Sequence, residues 1–314
     1  MSRAQGLWLV LLPAIATAQT QPRAAGNPPL EVLHVRGNVY MLASTAANVT
    51  VQVGRDPGHD GVLLVDSGPA ALTERIVGEI RKLSAQPVRY IVNTSADPDH
   101  TGGNATIAKP DARPYYVAPD VSIFAHLNVE ARMSSKGSGV PSGAWPTLTF
   151  EQAKPFEFNG EPIEIFHEAA AHTDGDSIVF FRGSNVISTG DVFQTTGYPV
   201  LDLSRGGSIQ GEIKALNHIL TLSVPHAMQE GGTMIIPGHG RLCDQADVVE
   251  YRDMLTIIRD RVADLMEHGK QLEEVKAARL SRDYDRRYST SSWTGEMLVE
   301  AIYRSLKTGG GEKR

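Results

Sequence analysis

The chain has almost no cysteine. Cys243 stands alone among 314 residues, so no internal disulfide forms and no cysteine-rich zinc site can be assembled. Any bound metal has to be held by histidines and carboxylates. Basic residues are also in the minority, 30 Lys and Arg against 36 Asp and Glu, and the formal charge of −6 argues against a nucleic-acid-binding face. Long apolar runs are missing too. The stretch "GLWLVLLPAIA" near the N-terminus falls short of the roughly 20 residues that a membrane span needs. With Arg3 ahead of it and the small residues "ATA" behind, it reads as a cleaved export signal over residues 1–18. Its removal takes away one Arg and no acid, which brings the charge to −7. The mature chain is therefore expected to be periplasmic or secreted, with no membrane attachment and no nucleic-acid partner.

What is present is ordinary globular material, 41% hydrophobic and 21% charged, in a chain long enough to bury a large core. Residues 19–28, "QTQPRAAGNP", are Pro-rich and polar and read as a disordered leader. Residues 29–314 then form one domain with a helical C-terminal extension. Short β-rich runs from "LEVLHVRG" to "GVLLVDSG", broken by Gly, Asn and Asp, predict an antiparallel meander. A helix over "ALTERIVGEIRKLSA" and a buried strand over "PVRYIVN" follow. A further helix is expected over 121–133, and strands resume with "TLTF", "FEFNG", "IEIFHE", "SIVFF" and "NVIST". The pattern ends with a helix near 209–222, the strand "TMIIPG" and three helical stretches. Strands, helix and strand occur twice, which suggests two packed sheets flanked by helices.

Polar residues gather where the strands end. The stretch "NTSADPDHTGGN" holds Ser95, Asp97, Asp99 and His100; "AAAHTDGDS" holds His172, "STGDVF" Asp191 and "IIPGHG" His239. Each cluster has glycine nearby, which lets the backbone turn sharply. Strand ends that converge on one sheet edge are where α/β proteins place their sites. Taken singly, Asp99–His100 also reads as a turn with a helix cap, and "TGGN" as a plain glycine turn.

These four clusters, in this order, resemble the metallo-β-lactamase fold superfamily, which includes glyoxalase II and many lactonases and lactamases. The family loop H-x-H-x-D-H is similar to "SADPDHTGGN", and the later family marks match "AHTDGDS", "TGDVF" and "IIPGHG". The resemblance implies a four-layer αββα sandwich with a metal site at one edge. It also implies a first metal pocket at Ser95, Asp97 and His172, a second at Asp99, His100 and His239, and Asp191 as a carboxylate shared between them. Two histidines of the family's first pocket are thus Ser95 and Asp97 here. A serine hydroxyl is a poor zinc ligand, while a carboxylate is a serviceable one. The cofactor expected is Zn²⁺, one ion or two, and the oxygen-rich ligand set also suits Mn²⁺ or Fe²⁺.

Together with the export signal, the resemblance implies an exported metal-dependent hydrolase that attacks a small-molecule carbonyl, in a β-lactam, lactone, ester or thioester. Asp99 belongs to the catalytic centre, and Asp97 acts either as a ligand or as a general base. Ser95, His59, Tyr198 and Arg205 are candidate substrate contacts. His59 sits in the turn "RDPGHDG", which also reads as a plain hairpin turn; Trp145 and Tyr198 are placed to shape a pocket. Arg205 with Gly206 and Gly207 precedes a helix, so this stretch is either an anion site or a simple helix-entry turn. His167 is a candidate support behind His172, and the remaining histidines read as surface or packing residues. The alternatives are a non-catalytic binding protein that kept the fold but lost the full dinuclear site, and a di-iron redox protein.

Overall fold

The computed structural model describes residues 29–56, 60–109, 121–228 and 231–309. The expected export signal, the leader and His59 lie outside the described residues.

Two sheets form the centre. The first contains β1 (Leu30–Arg36), β2 (Val39–Ser44), β3 (Val49–Val53), β4 (Val62–Val65), β5 (Val88–Val92), β6 (Ser122–His126) and β7 (Leu148–Phe150), side by side in chain order. The strands from β1 to β4 pair antiparallel, as the Gly- and Asn-broken runs predict, and those from β4 to β7 pair parallel. The second sheet contains β8 (Ala153–Phe158), β9 (Glu161–His167), β10 (Ser177–Phe181), β11 (Val186–Ser188) and β12 (Met234–Ile236), in the order β12-β11-β10-β9-β8. Its pairs are antiparallel except for β11 with β12.

Successive side chains of a strand point to opposite faces, so a strand buried at every position has both faces covered. In β4 all four residues are buried. Leu63 and Val65 face the second sheet, where they meet Ile163, Ile165 and Val179. Val62 and Leu64 face outward onto Ile76 and Ile80 of α1 (Thr73–Leu83). On the far side, Ile178, Phe180 and Ile187 of the second sheet pack under α5 (Ile209–Leu222) and α6 (Gln245–Glu267). Full burial stabilises each such side chain by about 1.5–3 kcal/mol. The result is the αββα sandwich. Asp244 begins α6 with a capping box shared with Asp247, worth about 1 kcal/mol. α7 (Leu272–Ala277), α8 (Arg282–Tyr288) and α9 (Gly295–Gly309) complete the helical layer through Val275, Tyr288, Leu298 and Ile302. Among the described residues no helix is long and apolar enough to cross a membrane.

The helix expected over 121–133 is half strand. "SIFAH" forms β6, bonded in parallel to β5 and β7, and only Leu127–Met133 is helical. Buried Ile123, Phe124 and Ala125 fit a strand covered on both faces, and pairing with β5 overrides the helical spacing.

The parallel pairs decide where the site lies. Asp66 directly follows β4, and residues 94–100 follow β5; Asp191 follows β11, and His239 follows β12. All four segments leave the carboxyl ends of parallel strands at one edge of the sandwich.

Candidate metal centre

The loop after β5 is held in place before it supplies any ligand. Asp66 adopts φ +62, an uncommon conformation for a residue with a side chain. Its buried carboxylate accepts hydrogen bonds from the Thr94 amide (2.8 Å), the Thr94 hydroxyl (2.7 Å) and His100 Nδ1 (2.6 Å). These bonds fix the conformation, and they turn Nε2 of the fully buried His100 toward Asp191. Gly102 and Gly103 let the short helices α2 (Pro98–Thr101) and α3 (Asn104–Ile107) pass close to the Ser67–Ala70 loop. A Cβ on Gly103 would lie 2.4 Å from the Ser67 carbonyl oxygen.

His100 Nε2 lies 3.1 Å from Asp191 Oδ1, and His239 Nε2 lies 3.0 Å from the same oxygen. Asp99 Oδ2 is 3.6 Å from His239 Nε2. Four ligands at about 2.0–2.1 Å around a tetrahedral ion stand roughly 3.3 Å apart, so this spacing fits one divalent cation. Gly238 permits the approach: a Cβ there would meet the Gly190 carbonyl oxygen at 2.6 Å and Asp191 Oδ1 at 2.8 Å. Asp99, with its side chain 38% exposed, is the solvent-facing member of the set.

On the other side of Asp191 lie Asp97 and His172, and these three residues form a second group with convergent ligand atoms. His172 Nδ1 donates to the Val200 carbonyl (2.6 Å), and Nε2 lies 2.8 Å from Asp97 Oδ2 and 3.8 Å from Asp191 Oδ2. Arg205 Nη1 donates to Asp97 Oδ1 in a short ion pair.

The charges reinforce one another. Burial works against ionising Asp191, yet His100, His239 and His172 outweigh it and hold its carboxyl well below the usual range. Burial opposes protonation of His100, but Asp191 and Asp66 raise its pKa well above the ordinary imidazole value. His172 is raised to about 10 against its burial, through Asp97 and Asp191. A site that draws positive charge this strongly onto its imidazoles is one that a divalent cation satisfies. Below it, burial pushes Asp176 up to about 7, although the carboxylate takes two bonds from Thr173. Burial also raises Glu212, whose oxygens accept no hydrogen bond, well above the carboxylate range.

A model of the metallo-beta-lactamase superfamily matches residues 45–279, three quarters of the chain. The chain belongs to the metallo-beta-lactamase superfamily. Its fold is similar to that of the inverting sec-alkylsulfatase Pisa1 from Pseudomonas sp., with a TM-score of 0.65 at 17% identity. That match covers 90% of this chain and 51% of the sulfatase, so the chain spans about half the sulfatase's length. The metallo-beta-lactamase from Pontibacter korlensis (TM-score 0.55, 18% identity) is matched over 73% of this chain and 99% of its own. The DIM-1 metallo-beta-lactamase gives 0.55 at 19%, with the same coverages. At such identities the likeness shows the fold alone. No curated protein matches the sequence.

As in the superfamily pattern, the six ligand candidates from the sequence come together in two groups around Asp191. Other expectations change. Ser95 is buried, and its hydroxyl accepts from the Asp97 amide (3.1 Å), so it holds the turn rather than facing a substrate. Burial raises the pKa of Asp97, but hydrogen bonds from His172 and Arg205 outweigh it and bring the carboxyl to about 2. Tyr198 is only 1% exposed, and its hydroxyl donates to Asp285 (2.9 Å) under α8; it is core, not a substrate contact. The amides of Gly207 and Ser208 already donate to Asp202 and Ala170, so this stretch is a helix-entry turn with no free anion cradle. Arg205 reaches Asp97 instead. His167 stacks on His126, with ring centroids 3.5 Å apart, and bonds the Asp174 carbonyl, while Val200 supports His172. Trp145 packs among Val129, Met133 and Ala96. Sequence reasoning missed Asp66 as the partner of His100. Its signal was the "VDSG" that ends β4, an acid at a strand's carboxyl end.

Proposed function

We propose that the chain is a metal-dependent hydrolase that works through Asp99, His100, Asp191 and His239, and that it acts outside the cytoplasm. The convergence of His100 Nε2 and His239 Nε2 on one oxygen of Asp191, at 3.1 and 3.0 Å, carries this reading. A divalent ion bound there supplies Lewis acidity and lowers the pKa of water. The chain's own residues do the positioning. Asp66 sets the tautomer of His100, Gly238 lets the Asp191 loop close in, and exposed Asp99 borders the face open to substrate. The substrate class is a small molecule with a cleavable acyl bond: a β-lactam, lactone, ester or thioester. The sulfatase likeness adds secondary alkyl sulfates to the compounds worth screening.

The non-catalytic reading draws on one observation, the replacement of two metal-ligand histidines by Ser95 and Asp97, with Arg205 paired to Asp97. Assay of the mature chain with Zn²⁺, Mn²⁺ or Fe²⁺ against this panel separates the two. Hydrolysis that His239→Ala abolishes supports the enzyme. Tight metal binding with no turnover of any compound supports the binding protein.

A further inference from the structure

The group on the Asp97 side of Asp191 differs in kind from the one on the Asp99 side. On both sides a histidine bonds a carboxylate, but here the carboxylate's second oxygen is also held by a guanidinium. His172 Nε2 and Asp97 Oδ2 make a hydrogen bond at 2.8 Å, tighter than the 3.0 and 3.1 Å contacts of His239 and His100 with Asp191. At 3.8 Å, Asp191 Oδ2 is further from His172. The second oxygen of Asp97 is engaged by Arg205, and the neighbouring Ser95 hydroxyl by the Asp97 amide. A metal ion entering here would have to take Asp97 from a guanidinium.

That guanidinium does not leave easily. Arginine stays charged at every accessible pH, so it cannot be titrated out of the ion pair. Its Nε donates to Asp202 Oδ2 at 2.5 Å, and its amide donates to the carbonyl and the carboxylate of the same Asp202. Its carbonyl accepts from the Asp174 amide at 2.9 Å. The same segment is stitched to His172: the Asp202 amide donates to the His172 carbonyl, and Val200 orients the His172 ring. A Cβ on Gly207 would lie 2.1 Å from the His172 carbonyl oxygen, so only glycine lets the two loops lie this close. The loop that places His172 therefore also delivers Arg205 to its partner Asp97.

We propose that Arg205 closes the pocket formed by Asp97 and His172 to a metal ion, which makes the centre mononuclear with a fixed guanidinium in the second cation's place. This rests on the metal reading above for Asp99, His100, Asp191 and His239. Arg205 is then a positioning residue that decides metal stoichiometry, and its test needs no assay of turnover.

The experiment is a metal count on the full chain, by elemental analysis after equilibration with excess Zn²⁺ and desalting, paired with a Co²⁺ titration followed by visible absorption. The wild type is expected to saturate at one ion. Arg205→Met, which keeps the apolar stem and removes the charge, is expected to saturate at two. Asp202→Asn, which unpins the guanidinium without discharging it, is expected to take a second ion only at higher concentration, and it serves if Arg205→Met does not fold. Two ions in the wild type overturn the proposal and leave the metal reading intact. One ion in the wild type and in each folded variant does the same. No ion in the wild type removes the metal reading and the proposal with it.

Discussion

The two pockets on either side of Asp191 share a carboxylate and differ in almost everything else. On the Asp99 side, two imidazoles aim their Nε2 atoms at one oxygen of Asp191, and His100 is hydrogen-bonded to it. On the Asp97 side, a histidine, an aspartate and an arginine satisfy one another. The difference shows that a cluster of ligand-type residues is not by itself a metal site. What decides is whether the lone pairs are left over once the protein's own cations have been served.

The largest effect expected is on the Asp99 side. His239→Ala or Asp99→Ala should lower kcat/KM by roughly 100-fold or more and release the metal, because ligands matter more than their supports. Steady-state rates with metal analysis check this, and unchanged turnover in either variant would erase the contrast between the pockets. Next comes the support beneath it. Asp66→Ala frees His100 Nδ1 and should weaken metal affinity by roughly 10–100-fold, readable in a competitive chelator titration. An equal affinity would mean that the ring is held by packing alone.

Smaller effects mark the boundaries of the comparison. Tyr198→Phe removes a buried hydroxyl from Asp285 and should cost about 1–2 kcal/mol in urea unfolding with KM unaltered. A raised KM would return Tyr198 to the substrate pocket. Below the Asp97 side, the stacked pair of His126 and His167 supports Asp174, which in turn bonds Arg205. Burial and the neighbouring His167 hold His126 down at about 4. The unfolded chain takes up that proton near pH 6.5 and the folded chain does not, so stability is complete above 6.5 and declines as pH falls toward 4. Thermal melts across that window should slope less steeply for His126→Gln than for wild type.

Much of this architecture was legible in the sequence because strand ends and glycine-rich turns mark the ligand loops locally. "NTSADPDHTGGN", "STGDVF" and "IIPGHG" each carry their own turn chemistry, and the folded chain brings them to one edge. What was not legible depends on distance along the chain. Nothing near Arg205 points to Asp97, 108 residues away, and the turn between Leu201 and Ser208 reads the same with or without that contact. β6 was hidden for a related reason: "SIFAHLNVEARM" keeps helical spacing, and only pairing with β5 and β7 makes its first half a strand. Tyr198 shows the reverse error, an aromatic near a site motif whose burial is set by α8, some 90 residues on.

The measurement that tests the account most directly is an anomalous diffraction map at the zinc edge from crystals of the Zn²⁺-loaded protein. A single peak within coordination distance of His100 Nε2, His239 Nε2 and Asp191 Oδ1, with Asp99 beside it and Arg205 still on Asp97, is the result expected. A peak between Asp97 and His172, with Arg205 displaced, would contradict it.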